Sequence, residues 1–236
     1  LYTDKDNFRI IPIEADNKNV RQILEDRNGR IFLNTGFQLY AYHPREEKIT
    51  CVLPEISPGN AFYAQCHIAP DNNLWVMTST GLRCYDPSTL QLKESVALNG
   101  YPYYSYLHNN ELWITGNHTL SIFDTRTRSF KPLPQPIAQN TTLCNADIDY
   151  IHPYGNNGLL LNTARHGMFY YNPGTGSVTR QDENGFPFEM PRFRISRMFT
   201  DSQQNLWIGS VDQGYTVCYH FKERFNHDNY MRSELN

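Results

Sequence analysis

The sequence predicts an all-β propeller of radial four-stranded blades, from a recurring segment and from the length of chain between its copies. The segment reads NLWIGS at 205–210 and returns as RIFLNT (30–35), NLWVMT (73–78), ELWITG (111–116) and GLLLNT (158–163). Each copy is followed by a second strand-like run with an aromatic near its end: LYAYHP, LRCYDP, LSIFDT, MFYYNP and YTVCYH. With Ile31, Leu74, Leu112, Leu159 and Leu206 taken as equivalent, the intervals are 43, 38, 47 and 47 residues. A period in the forties built from short strands marks propeller blades, whereas helical repeats would space their apolar residues by about 3.6. The runs are rich in β-branched and aromatic residues and alternate only weakly, as strands covered on both faces do.

The elements follow in order. Residues 1–13 read as the two outer strands of a preceding blade, and complete units follow at 20–53, 63–98, 103–135, 145–181 and 193–222. In the second unit, 63–70 is the first strand and the polar Asp71, Asn72 and Asn73 turn the chain into LWVMTS. Thr80 and Gly81 turn it again into LRCYD, and LQLKESV follows Pro87 to Thr89 as the fourth strand. Residues 223–236 read as a linker towards a next blade. A ring leaves no open strand edge only when every blade has both neighbours. The unit count therefore predicts about five complete blades plus part of another, an excerpt of a longer ring. A complete five-bladed ring with a frayed start is the alternative.

Composition excludes several functions. A net charge of -3 gives no footprint for nucleic acid, which calls for clustered Lys and Arg. No run of eighteen apolar residues is present to span a bilayer, and the start, Leu1 to Asp4, lacks the pattern of an export signal. Cys51, Cys66, Cys84, Cys144 and Cys218 fall mostly inside strand runs, where Cys acts as a small hydrophobe. No CxxC or HxxxH spacing suggests a metal, and nothing suggests a cofactor.

FTDSQQNLWIGSVDQG (199–214) resembles the repeat of the two-component regulator propellers in the sensor regions of bacterial hybrid histidine kinases. APDNNLWVMTSTGLRCYDP (69–87) and NNELWITG (109–116) match the same pattern, and the tail FNHDNYMRSELN is similar to the linkers between such blades. The departures are Phe32 and Leu160 where other copies have Trp, and the Gly after the Trp strand, which survives only as Gly116 and Gly209. The resemblance implies a seven-bladed ring and a periplasmic sensor without catalysis of its own. It also implies, elsewhere in the same protein, a second propeller, an immunoglobulin-like domain, a membrane helix and a cytoplasmic kinase. The partners implied are an oligosaccharide ligand, the rest of the sensor chain and a second copy in a homodimer. The sensor would control genes for glycan use. A binding or scaffold propeller without signalling is the second reading.

Ligands of propellers usually meet the loops at one rim. With the first strand of each blade running from top to bottom, the turns between second and third strands share the top with the blade connections. Those turns hold Asn117 and His118, Arg165 and His166, and Asp212 and Gln213, besides Phe37, Gln38, Ser79 and Thr80. The connections supply Phe62, Tyr63, Tyr101, Tyr103, Tyr104, Phe186, Phe188, Arg192 and Phe193. Flat apolar faces with hydroxyl-bonding groups suit a sugar, so Asn117, His118, Arg165, His166, Asp212, Gln213, Tyr101, Phe186, Phe188 and Arg192 form the candidate ligand rim. Packing between blades is the plainer role for the aromatics, and the long connection 181–192 reads equally as a docking patch or as its own small core.

Counting back four residues from the turn that ends the first strand gives Gln22, His67, Ser105, Asp149 and Arg197, a polar set on which Asp149 and Arg197 of adjacent blades are expected to meet. A glycan-active five-bladed enzyme would need paired carboxylates flanking one bond. Asp147, Asp149 and Glu25 are the inner-strand candidates, but the first two share one face of a single strand and Glu25 adjoins the bottom turn. No GxSxG or HExxH is present.

Overall fold

The period of two along a strand decides which side of its blade each side chain serves. The structure, a computed structural model, describes residues 12–13, 19–53, 65–155, 157–190 and 195–219. The first blade is β1 (Gln22–Glu25), β2 (Ile31–Asn34), β3 (Leu39–His43) and β4 (Lys48–Leu53). The second is β5 (Gln65–Ile68), β6 (Leu74–Thr78), β7 (Gly81–Tyr85) and β8 (Leu92–Ala97). The third is β9 (Pro102–His108), β10 (Glu111–Gly116), β11 (Thr119–Asp124) and β12 (Ser129–Lys131), followed by two short helices, α1 (Gln135–Ala138) and α2 (Thr141–Cys144). The fourth is β13 (Ile148–Tyr154), β14 (Gly158–Thr163), β15 (Gly167–Asn172) and β16 (Ser177–Arg180). The fifth shows β17 (Ile195–Thr200), β18 (Leu206–Ser210) and β19 (Tyr215–Cys218). Each is a separate antiparallel meander, with its strands in chain order. The first strands β1, β5, β9, β13 and β17 touch in sequence, so the blades are arranged about their inner edges. The chain is an all-β propeller of five blades among the described residues.

The four apolar clusters are the four seams between blades. Leu74 and Val76 of β6 face the first blade, where Phe32, Leu39 and Ala41 meet them. Trp75 and Met77, on the opposite face of β6, join Leu112, Ile114 and Phe123 of the third blade. Trp113 turns the other way and meets Leu159, Leu161 and Phe169 of the fourth. Leu160 in turn packs with Met198, Leu206 and Ile208 of the fifth. A second strand between two blades is therefore covered on both faces, and all five residues of β6 are buried. Full burial of one such side chain is worth about 1.5–3 kcal/mol, so these seams dominate the stability of the body.

Carboxylates and amides organise the bottom turns. Asp26 accepts from the backbone N–H of Asn28 and Arg30 at 2.9 Å each, and Asp201 accepts from Gln203 and Asn205 at 2.9 and 2.8 Å. Between third and fourth strands, Asp86 accepts from Ser88 and Thr89, Asp124 from Arg126 and Thr127, and Asn172 from Gly174. A short acceptor side chain closing its own turn is what makes Asp and Asn the natural breakers here.

At the top, the first strand bulges at one equivalent place in three blades. Tyr103, Asp149 and Ser196 each lie outside the pairing, three residues before the partner of the central second-strand position (Tyr106 opposite Trp113, His152 opposite Leu160, Phe199 opposite Trp207). Gly116 sits against the bulge of the third blade, where a Cβ would come within 2.7 Å of the Tyr101 carbonyl oxygen.

The inner strands are joined by a side-chain ladder at one register. Gln22, Gln65, Tyr104, Tyr150 and Arg197 stand opposite Asn34, Met77, Thr115, Asn162 and Gly209, the same position of each second strand. Gln22 donates to the Cys66 carbonyl at 2.7 Å and accepts from the Cys66 N–H at 2.9 Å. Gln65 accepts from the Ser105 N–H and hydroxyl. The Tyr104 hydroxyl donates to the Ile151 carbonyl at 3.4 Å and that of Tyr150 to the Met198 carbonyl at 3.2 Å. Each of the four reaches the residue one step short of the next blade's central position. Two imidazoles one turn of the pleat below add His67 to Ser105 at 2.8 Å and His152 to Thr200 at 2.9 Å.

This ladder corrects the polar register read by counting back from the turns. Gln22 and Arg197 belong to it, but His67, Ser105 and Asp149 stand one or two places away. The residues counted from are not equivalent: Asp26 and Asp201 open their connections, Asp71 stands third in its own, Asn109 opens a connection of only two residues and Pro153 still lies in β13. Asp149 and Arg197 are both exposed, and the Arg197 guanidinium carbon lies 5.8 Å from the Tyr150 ring centroid, one residue beyond Asp149.

Tyr150→Phe removes one cross-seam bond and is expected to cost about 1 kcal/mol in urea unfolding, and Gln22→Ala, which removes two, about 1–3 kcal/mol. Burial pushes His67 and His152 down to about 4. Both rings fold neutral, so their contribution is complete above the ordinary histidine value and is lost as pH falls from there through about 4. Each ring should remove about 2 kcal/mol between pH 7 and pH 5, and His152→Gln should flatten that slope in denaturation curves at the two pH values.

Candidate functional site

Between the third and fourth blades the chain inserts a segment found at no other described seam. Pro134 precedes α1, with Pro136 in its first turn, and the Asn140 side chain accepts from the Leu143 N–H at 2.9 Å to start α2. Ile137 and Leu143, both 0% exposed, fill the seam that the two helices cover. The Cys144 thiol donates to the Ile137 carbonyl at 3.1 Å, and the Asn145 side chain returns to the Thr141 carbonyl at 2.8 Å. Helices this short leave no apolar periodicity to read, and only the flanking Pro and Asn mark them in the sequence.

The insertion delivers Asn145, Ala146 and Asp147 to the top of the seam, against the turns of both blades. A cavity of about 220 Å³ opens there, lined by His118, Asn145, Ala146, Asp147, Ala164, Arg165 and His166. Asp147 accepts from the His118 N–H at 3.1 Å, and the His118 Nδ1 lies 2.9 Å from the Asn145 carbonyl and 3.4 Å from the Asp147 carboxylate. A ring whose Nδ1 donates to a carbonyl keeps Nε2 as its free nitrogen. His118 holds φ at 51°, and the hydrogen bond to Asp147 helps to fix that strained backbone. On the fourth blade, Thr163 accepts from the His166 N–H at 2.9 Å and donates to the Gly167 carbonyl at 2.7 Å, which sets the turn carrying Arg165. Arg165 and His166 are exposed, and neither side chain has a hydrogen-bonding partner among the described residues. The cavity thus offers a guanidinium, two imidazoles and one carboxylate already engaged in holding a turn.

Of the candidate rim residues, His118, Arg165 and His166 converge on this cavity, and Asn117 adjoins it through the turn, its N–H 3.3 Å from the Tyr101 carbonyl. Tyr101 is 38% exposed at the entrance to the third blade. Asp212 and Gln213 are exposed on the top turn of the fifth blade and do not line the cavity. Phe186 and Phe188 lie in the next seam, their ring centroids 5.1 Å apart, with Phe188 8% exposed and 5.2 Å from the Tyr154 ring. They pack into the core of that seam with Leu160, Met198 and Leu206, and Phe188 presents little face to a ligand. Arg192, like Phe62, Tyr63 and Phe193, lies outside the described residues. Sequence reading missed Asn145, Ala146 and Ala164 because an inserted segment brings the first two there, and small side chains line a cavity without announcing it. Asp147, noted as a candidate carboxylate, turns out to anchor His118.

The five cysteines are free thiols, and burial pushes that of Cys66 up to about 12 and that of Cys84 to about 11. Among the described residues no group of three or more His, Cys, Asp or Glu is placed to hold a metal, and no helix is long and apolar enough to cross a membrane.

Neither a protein-family model nor a curated protein matches the sequence. Among solved structures the chain is similar to two of the extracellular domain of BT4673 from B. thetaiotaomicron, one described as part of a one component system and the other of a hybrid two component system. Identity is 23% and 22%, with TM-scores of 0.63 and 0.64, over 88% and 87% of this chain and 28% of each of those. The extracellular domain of BT3049 from the same organism, described as a hybrid two component system, matches at 16% identity and a TM-score of 0.58, over 88% of this chain and 29% of that one. The likeness is one of fold, and the chain spans less than a third of each of these three chains.

Asp147→Ala is expected to release the His118 turn. The His118 amide should exchange with deuterium roughly tenfold faster or more, while the Met168 amide, bonded to Gln181, keeps its rate. Equal rates at His118 in both proteins would show that the carboxylate does not hold the turn.

Proposed function

We propose that this propeller is a non-catalytic, extracytoplasmic sensor module of a hybrid two-component histidine kinase, contributing to detection of an oligosaccharide and to control of glycan-use genes. The repeat pattern around 199–214 and the fold shared with the extracellular domains of BT4673 and BT3049 support the sensor reading. The observation that carries the ligand site is the cavity at the top of the third seam, where Arg165 and His166, unpaired among the described residues, stand beside His118. Cations and imidazoles with free donors suit sugar hydroxyls and the carboxylates of acidic sugars. The cavity lies between two blades, so a shift of one against the other reshapes it. A sensor needs that property, because a ligand biases an equilibrium only by binding its two states unequally.

The remaining partners follow from the last blade. Phe199 is 64%, Trp207 37% and Tyr215 67% exposed, whereas the equivalent Trp75 and Trp113 are 0% and 2% exposed in their seams. This face is the docking surface for a further blade, in keeping with the greater length of the matched chains. The rest of the sensor, including an immunoglobulin-like domain and a dimer partner, belongs to the same reading. A scaffold propeller is the second reading, favoured by the same apolar face if it receives another protein.

Calorimetry of the protein against neutral and acidic oligosaccharides should find a ligand whose affinity Arg165→Ala lowers at least tenfold, about 1.4 kcal/mol. Binding that survives both Arg165→Ala and His166→Ala would place the ligand elsewhere. Silence across the panel together with tight capture of a protein partner would favour the scaffold.

A further inference from the structure

The third seam opens at its bottom end as well, into a groove of about 450 Å³ lined by His108, Asn110, Glu111, Trp113, Arg126, Lys131, Asn157 and Tyr171 among others. That volume falls within the range of about 300–1,000 Å³ typical of small-molecule sites, whereas the cavity at the top falls below it. The preceding seam shows why a groove forms here. There Trp75 meets Phe123 edge-on with ring centroids 5.1 Å apart, and the equivalent pair in this seam, Trp113 and Tyr171, stands at 6.3 Å. The turn Asn109–Asn110 is also the shortest after any first strand. In the fifth blade the longer turn brings Asp201 within 2.9 Å of the Trp207 indole N–H. Trp113 has no such acceptor, and its buried Nε1–H has no hydrogen-bond partner among the described residues. Trp75 shares that lack but does not line the groove, whereas Trp113 stands in its wall.

The charges lining the groove are already neutralised. Lys131 is paired with Glu111 and lies 3.8 Å from Asp124, repeating the contacts of Lys93 with Asn73 and Asp86 one blade earlier. Arg126, beside Asp124, balances the second carboxylate. A charged ligand would have to break these pairs, whereas a neutral one can use their outer lone pairs and protons as they stand. Amides at Asn109, Asn110 and Asn157 offer paired donors and acceptors beside the half-buried Tyr171 ring, with the buried Trp113 and Leu159 in the groove wall. Paired amides, neutralised carboxylates and one flat aromatic face match a ring carrying hydroxyls on its edge and C–H groups on its face. We infer that this groove is a second binding site, distinct from the cavity at the top, and that it takes a neutral saccharide. A ligand hydroxyl supplies the acceptor for the Trp113 N–H, with the half-buried Tyr171 ring yielding to admit it.

The inference does not depend on the sensor reading and is tested apart from it. The probe is a panel of neutral gluco-, manno-, galacto- and arabino-oligosaccharides titrated into the protein, read at the indole N–H resonances of the three tryptophans. The expected result is a saturable shift of the Trp113 resonance with Trp207 unmoved. Asn110→Ala and Arg126→Ala, both in the groove wall, should weaken that binding at least fivefold, and Arg165→Ala should leave it unchanged. A Trp113 resonance unmoved by the whole panel at millimolar concentration would overturn the site. So would a shift that both groove variants leave intact, or one produced as well by charged peptides.

Discussion

A side chain that crosses each seam to the backbone of the next first strand joins five separate meanders into one body. Gln22, Gln65, Tyr104 and Tyr150 all do this from one register, and all end on the same rung of the neighbouring strand. Each bond adds only about 1 kcal/mol net, well below what the buried tryptophans and leucines of the seams contribute. Its value lies in direction. Apolar seams tolerate sliding, whereas Gln22, which donates to the C=O and accepts from the N–H of the one residue Cys66, fixes a single alignment of two blades. The chemistry of the rung changes from amide to phenol around the ring, but its position does not.

The seams then differ in how tightly they close. The second is filled by Trp75, Met77, Leu82 and Phe123. The third carries the inserted helices on one side and the shortest turn at its bottom end, and it opens at both ends. The same insertion touches both openings, with Pro134 at the lower groove and Asn145 to Asp147 at the upper cavity. Ile137 and Leu143, fully buried between them, make the segment a rigid spacer rather than a mobile loop.

Sequence alone determined the fold. Five copies of one strand, at intervals a blade requires, left an all-β propeller as the consistent reading, because second strands covered on both faces are mainly apolar and alternate only weakly. Asp and Asn at the bottom turns were legible for an equally local reason, since they close the turn within their own few residues. Which side chains face each other across a seam is not local. Turn residues at non-equivalent places displaced the count by one or two positions, so counting puts only Gln22 and Arg197 on the polar ladder. The candidate rim was legible in part. Its turns are placed by the blade geometry, which brings His118, Arg165 and His166 together, while Phe188 shows that an aromatic beside Gly and Pro in a long connection can be core. Only the tertiary structure decided which loops share a cavity, because that depends on the separation of two blades and on an insertion too short to show a helical period.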